Sequence, residues 1–306
     1  MTDNYAERQY HVAVLLRETI DGMEIEPDGT YIDATFGGGG HAREILNRLS
    51  DKGHLYGFDQ DTDALQNVPE DPRFTFVNSN FRFMTNFMDW HDVGKVNGIV
   101  ADLGVSWHHF DDGERGFSFR FDSELDMRMN RNADKTASTV LNEYSEKLLS
   151  DMFYAYGELR QSRAIAAAIV KNRTIRKINT TADFLHILKP FISYDKEKKQ
   201  IAQAFQALRI EVNDEINVLM NLLTQSENLL KPGGKLAVIT YHSVEDRLVK
   251  NFLRSGNFEG RTDTDIFGNY HAIFNLINRK VITPSAKEVA NNPRARSAKL
   301  RIAEKT

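Results

Sequence analysis

The segment Tyr31-Ile-Asp-Ala-Thr-Phe-Gly-Gly-Gly-Gly-His41 constrains this chain most, because an apolar run ends on a carboxylate and a four-glycine loop follows closely. Without Cβ atoms, Gly37 to Gly40 let the backbone turn sharply and let a ligand approach it closely. His41-Ala-Arg-Glu-Ile-Leu-Asn-Arg-Leu49 then carries a helical pattern. The loop therefore joins a strand to a helix N-terminus, whose first N–H groups have no partner within the helix and face a ligand. This is the pattern of a cofactor cradle; a glycine-rich turn without a ligand is the plainer alternative.

Two cofactor classes use such a unit. Gly37, Gly39 and Ala42 meet the G-x-G-x-x-G/A spacing of dinucleotide sites, and Asp59 stands 20 residues beyond Gly39, where the ribose partner of NAD belongs. Asp33 weighs the other way. A carboxylate before the glycines repels a pyrophosphate and suits the cationic amino group of a methionine moiety, so the pattern favours S-adenosylmethionine.

Short apolar runs alternate with helical patterns through the first third of the chain. Residues 31–33, 54–58, 74–77 and 96–101 read as strands, with helices at 41–50, 61–67 and 82–90 between them. That alternation implies a parallel, doubly wound α/β sheet whose ligands bind at the C-terminal strand ends, here marked by Asp33, Asp59, Asn78 and Asp102. After Asp102 the alternation stops. An aromatic, glycine-containing stretch (Gly113 to Phe121) and helical patterns such as Glu158 to Lys171 make 106–209 an inserted, mostly helical domain. Apolar spacing at Ile201, Phe205, Leu208, Val212, Ile216, Leu219 and Leu223 predicts one long helix, stopped by Leu230-Lys-Pro-Gly-Gly234. Strands at 235–241, 271–277 and 298–303 close the sheet. The first domain is thus 1–105 with 210–306, and the last two strands fit the closing pair of a seven-stranded methyltransferase sheet.

Composition narrows the chemistry. With 306 residues, 41% hydrophobic and 27% charged, the chain is globular, with material for a full core. No run approaches the roughly 20 apolar residues that span a bilayer. Met1-Thr-Asp-Asn-Tyr-Ala-Glu-Arg8 has no basic stretch leading into an apolar one, so a cytoplasmic protein without membrane contact is expected. There are no cysteines, which excludes disulfides, thiolate metal sites and cysteine nucleophiles; the nine histidines show no H-E-x-x-H spacing, and no metal is expected. The net charge of −4 conceals an asymmetry. From Arg160 to Arg209 there are 11 Lys/Arg against three acids, a segment of +8 that leaves −12 for the remainder. Such a block can be a solvated helical face, but beside a cofactor domain it favours a polyanionic substrate.

Taken in order, several segments resemble the bacterial small-subunit ribosomal RNA cytosine-N4 methyltransferases, the MraW family, over nearly the whole chain. They are Asp33-Ala-Thr-Phe-Gly-Gly-Gly-Gly-His41, Gly57-Phe-Asp-Gln-Asp61, Asn80-Phe-Arg82, Ala101-Asp-Leu-Gly-Val-Ser106, Asp111-Asp-Gly-Glu-Arg-Gly-Phe-Ser-Phe119, Leu125-Asp-Met-Arg-Met129, Phe205-Gln-Ala-Leu-Arg-Ile210, Leu230-Lys-Pro-Gly-Gly234, Tyr241-His-Ser-Val-Glu-Asp-Arg247 and Asn292-Pro-Arg-Ala-Arg-Ser297. The resemblance implies a class I S-adenosylmethionine-dependent methyltransferase, Rossmann-like, with a seven-stranded mostly parallel sheet and an inserted helical RNA-recognition domain. It places Gly39, Gly40 and His41 in the cofactor loop, Asp59 on the ribose, and Phe81 and Asp102 near the adenine and the methyl-donor end. The sequence departs from the family at Ser106-Trp-His-His109, where His109 takes a cofactor-contacting position that is usually glutamine in Ser-Ser-Pro-Gln.

The implied substrate is a cytosine of the decoding centre in 16S ribosomal RNA, within an assembled or nearly assembled small subunit. The lack of cysteine agrees independently, since methylating carbon 5 of a pyrimidine normally needs a thiolate at carbon 6. An exocyclic amine is a weak nucleophile and needs a hydrogen-bond acceptor for its proton, a role open to Asp102 or to a nearby backbone carbonyl. Tyr241 and His242 are candidate stacking or polar partners, and Arg294, Arg296 and Lys299 join the basic insert as phosphate contacts. The alternatives are a methyltransferase on another nucleic acid and an RNA-binding assembly factor with a methyltransferase fold; an NAD-dependent oxidoreductase is disfavoured by Asp33. Oligomeric state stays open, a homodimer included.

Overall fold

The computed structural model describes residues 13–104, 115–262 and 272–306. His109 and the rest of its motif lie outside them, as does the start of the strand expected from residue 271. The chain divides into two compact units, Met1–Gly104 with Leu219–Thr306, and Val105–Val218.

The first unit is a seven-stranded sheet in the order β3-β2-β1-β4-β5-β7-β6, formed by β1 (Thr30–Asp33), β2 (His54–Asp59), β3 (Phe74–Asn78), β4 (Val96–Asp102), β5 (Leu230–Thr240), β6 (Phe274–Leu276) and β7 (Lys299–Lys305). β1 to β5 run parallel, while β7 is antiparallel to both β5 and β6. Side chains alternate faces along a strand, so each strand feeds two cores. Ile32, Phe58, Ile99, Leu236 and Val238 join one with Met84 and Met88 of α3 (Met84–Trp90), and Tyr31, Leu55, Val100 and Ile239 join the other with Ile20 of α1 (Leu16–Gly22) and Ile45 of α2 (Gly40–Arg48). The strand order reverses between β1 and β4, and a doubly wound sheet opens its ligand crevice at such a point.

The second unit carries α4 (Ala137–Glu143), α5 (Glu146–Ala155), α6 (Ser162–Arg173), α7 (Thr181–Leu188) and α8 (Glu197–Asn213). Its core is aromatic in part: Phe184 packs on Phe153 and on Phe205, with centroids 6.0 and 5.6 Å away. Of the aromatic stretch, Phe117 is buried and Phe119 meets Phe205 at 5.6 Å, whereas Phe121 is 61% exposed. Gly116 is required there, because its φ is +73° and a Cβ would lie 2.3 Å from the Glu124 carbonyl oxygen.

Three local expectations are corrected. Residues Thr62–Asn67 form a 3₁₀ turn, with the Asp61 carboxylate accepting the Asp63 N–H. The long helix is two, α8 and α9 (Glu215–Leu229), broken where Asp214 turns left-handed at φ 55°. Asn213 explains the break: its amide accepts from the Met129 N–H at 2.7 Å and donates to the Met127 carbonyl at 2.8 Å. Val212 also lies in the second core, and the second compact unit runs to Val218. Finally, Leu230 begins β5 instead of only ending a helix. It pairs with Val96, and Lys231 to Gly234 form a bulge, with Pro232 and Gly233 exposed, before Lys235 rejoins β4 opposite Gly98. Among the described residues no helix is long and apolar enough to cross a membrane.

Candidate active site

β1, β2 and β4 are neighbours in the sheet and end on Asp33, Asp59 and Asp102, which puts three carboxylates along one edge of the crevice. Asp33 is buried; its Oδ1 accepts the Thr35 N–H at 3.1 Å and its Oδ2 makes no hydrogen bond. Burial first, then the charges of Asp102 and Asp59, push its pKa up to about 7, against the pull of the Thr35 and Ala42 N–H groups. The edge is therefore a negative pole that rejects a pyrophosphate and rewards a cation.

The glycine loop is built around that pole. Gly37 and Gly39 have φ of +49° and +71°, a region costly for residues with a Cβ. Asp59 accepts the Gly37 N–H on Oδ2 and the Asp61 N–H on Oδ1, both at 2.8 Å. Its pKa is raised, with burial the largest cause and these N–H groups opposing it. Asn67 donates to the Gly37 carbonyl at 3.1 Å and Arg43 to the Gly38 carbonyl at 2.8 Å, which fixes the loop from both sides. Space stays open where a Cβ of Gly38 would stand, whereas one on Gly40 would meet the Ala13 Cβ at 2.7 Å.

His41 lies in the first turn of α2. Its ring is buried and its Nε2 lies 3.2 Å from the Val14 carbonyl oxygen. Burial lowers its pKa, so the ring is neutral at pH 7 and donates to that carbonyl. What Gly40 and His41 offer a ligand is the N-terminal turn of α2. Phe81 is half-buried in a 3₁₀ turn, Phe81–Phe83, whose N-cap Asn80 accepts the Arg82 N–H at 2.9 Å. Gln225 of α9 steadies the same turn, accepting the Thr85 N–H at 2.8 Å and donating to the Arg82 carbonyl at 3.0 Å.

Asp102 is held at several points. Its N–H donates to Thr35 Oγ1 at 2.7 Å, tying the ends of β4 and β1 together, and its Oδ1 accepts the Gly104 N–H at 3.0 Å. The Tyr241 side chain lies against the next turn, its hydroxyl oxygen 3.0 Å from where a Cβ of Gly104 would stand. Burial raises the Asp102 pKa, while the Gly104 N–H acts against it. The Tyr241 N–H donates to Glu245 Oε2 at 2.9 Å, and His242 is the N-cap of α10 (Ser243–Ser255), in a reciprocal capping box with Glu245. Thr35, Asn67 and Gln225 carry no signal in the sequence because each works through long-range hydrogen bonds that no spacing rule reports.

The second unit carries the cations. Arg160, Arg163, Lys171, Lys177, Lys189, Lys196, Lys198 and Lys199 are exposed. Three others of the basic block serve the unit itself: Arg173 donates to the Leu141 and Tyr144 carbonyls, Arg209 pairs with Glu215 at 3.0 Å, and Arg176 lies 3.5 Å from Asp183. Exposed apolar groups accompany the cations, among them Tyr154, Ile175 and Tyr194. In the first unit Arg294 and Arg296 are exposed on a 3₁₀ turn, but Lys299 is paired with Asp246 at 3.2 Å.

Residues 8–306 match the MraW methylase family. A ribosomal RNA small subunit methyltransferase H from Parabacteroides distasonis is 61% identical over 297 residues, 97% of each chain. The protein of the same name from Bacteroides fragilis is 60% identical over 299 residues, 98% of each, and that from Christiangramia forsetii is 50% identical over 297 residues, 97% of this chain and 98% of its own.

Proposed function

The chain belongs to the MraW methylase family, and we propose that it methylates the exocyclic N4 amine of a cytosine in the decoding centre of 16S ribosomal RNA. It is a methyltransferase of the class I α/β fold and uses S-adenosylmethionine. The residues present fit that cofactor. Asp33 keeps a buried oxygen without a hydrogen bond, the carboxylates around it favour a cation, and Gly38 leaves open space. In this reading Asp33 faces the methionine amino group, Gly39, Gly40 and His41 form the loop beneath it, Asp59 takes the ribose, and Phe81 and Asp102 flank the adenine and the methyl-donor end.

When bound, S-adenosylmethionine supplies a sulfonium methyl, whose bond to sulfur breaks as the nitrogen lone pair forms the new bond to carbon. The protein must orient the amine and take its proton. Asp102 is suited to both, because Thr35 and Gly104 fix its backbone and one carboxylate oxygen. Drawing the base out of its stack costs a few kcal/mol, which phosphate contacts to the exposed cations of the second unit offset. The observation that carries the substrate assignment is the 61% identity, across 97% of both chains, to a protein named for the small ribosomal subunit.

The test is transfer of labelled methyl from S-adenosylmethionine to small subunits from cells lacking the enzyme, with protein-free 16S RNA in parallel. N4-methylcytidine from subunits, with little label on free RNA, is expected. Label in another nucleoside, or equal labelling of unrelated RNA, would overturn the assignment.

A further inference from the structure

We propose that Thr35 is a positioning residue for methyl transfer: its side chain pins the end of β4 to β1 and so fixes Asp102 relative to the negative pole at Asp33. The inference rests on the reading above that Asp33 faces the methionine amino group and Asp102 the reacting amine. Hydrogen bonds within the first unit carry it. β1 and β4 last pair at Asp33 and Val100, and the Ala34 N–H still donates to the Val100 carbonyl at 2.8 Å. The chain then turns toward β2, on the far side of β1, where the Phe36 N–H donates to the Phe58 carbonyl at 2.9 Å. From there β1 has left β4 in order to build the glycine loop. The Asp102 N–H nevertheless has a partner on that side: it donates to Thr35 Oγ1 at 2.7 Å, where a backbone carbonyl would otherwise continue the ladder.

Thr35 also serves Asp33. Its own N–H donates to Asp33 Oδ1 at 3.1 Å, while the buried Asp33 Oδ2 makes no hydrogen bond. One residue thus holds both sides of the crevice, Asp33 through its backbone and Asp102 through its side chain. On the β5 side the Leu103 N–H donates to the Ile239 carbonyl at 2.9 Å, and the Gly104 N–H reaches Asp102 Oδ1 at 3.0 Å. Without the Thr35 hydroxyl, the end of β4 keeps these ties and loses the one toward β1, so Asp102 is free to drift from the methyl donor. Transfer in line is sensitive to such drift, because a displacement of about 1 Å can cost roughly 100-fold in rate. A β-branched side chain suits the task, since its stiff χ1 keeps Oγ1 in one place.

Two variants isolate the hydroxyl. Thr35→Val exchanges it for a methyl group of similar size, and Thr35→Ser retains it. In Thr35→Val, kcat on small subunits should fall about tenfold or more, while KM for subunits and calorimetric affinity for S-adenosylmethionine stay within about threefold. The affinity is spared because the N–H that holds Asp33 remains. Thr35→Ser should restore most of the rate. Hydrogen exchange of the Asp102 amide, followed without substrate, should quicken in Thr35→Val and stay slow in Thr35→Ser. Unchanged kcat in a folded Thr35→Val, an equal loss in Thr35→Ser, or a loss confined to cofactor affinity overturns the proposal. If Thr35→Val does not fold, Thr35→Ala takes its place under the same criteria. Exchange also separates this proposal from the reading it rests on. A wild-type protein that fails to methylate subunits refutes the functional reading, whereas an Asp102 amide that exchanges equally fast with and without the hydroxyl refutes the pin whatever the activity.

Discussion

Asp33 concentrates the physics of the site. The unfolded chain ionises this group at an ordinary 3.8, while in the folded protein burial and the Asp102 and Asp59 charges raise it to about 7. The raised pKa reverses the usual sign for a carboxylate: the folded state holds the extra proton, so stability falls as pH rises between those values. Thermal melts of the cofactor-free protein should show that fall, and Asp33→Asn should flatten it and melt higher than wild type at pH 8. A cationic ligand prefers the ionised form, so binding must expel a proton below pH 7. Affinity for S-adenosylmethionine should therefore rise with pH from 5 to 7, by at most about tenfold per unit, and calorimetry on Asp33→Asn should show weaker binding with that dependence lost. Asp33, Asp59 and Asp102 were legible in the sequence because a polar residue closing an apolar strand is a local signal. Their mutual proximity was not, since it depends on β1 lying between β2 and β4. Nor was the role of the His41 ring, which is decided by the carbonyl of Val14.

At the level of helices and strands, the alternation of strand and helix read through Asp102 is reproduced, down to the residues that close β1 to β4. Regular periodicity misled where one residue overrides it. Apolar positions from Ile201 to Leu223 keep a helical spacing, yet Asp214 adopts φ 55° and Asn213 turns inward to the loop at Met127. A β-branched side chain at that position is penalised by roughly 1–2 kcal/mol. Asp214→Val should lose about that much stability in urea denaturation, while Asp214→Gly should lose far less; equal losses would mean the break is not set by backbone conformation. The loop at Pro232-Gly233-Gly234 is the opposite case. Its residues announce a turn after a helix, and α9 does end at Leu229, but the turn is a bulge within β5, which already begins at Leu230.

For the molecule as a whole, charge and fold divide the labour. The segment that carries +8 lies within the unit spanning Val105–Val218, and the glycine loop with its carboxylates belongs to the other unit. Replacing Lys196, Lys198 and Lys199 with Glu should raise KM for small subunits severalfold and flatten its dependence on salt, because phosphate contacts release counterions. Cofactor affinity should be untouched. A variant with unchanged KM would show that this part of the basic surface is only a solvated helical face. Composition exposed the asymmetry, but not that Arg173 and Arg209 are spent on internal bonds, which only the packed helices reveal. The most direct test of the account is the rate of methyl transfer by Asp102→Ala at saturating cofactor and small subunits, measured beside wild type. Loss of about 100-fold or more, with S-adenosylmethionine still bound, is the predicted result for a residue that takes the proton. A near-wild-type rate of N4-methylcytidine formation would contradict it and move the proton acceptor elsewhere.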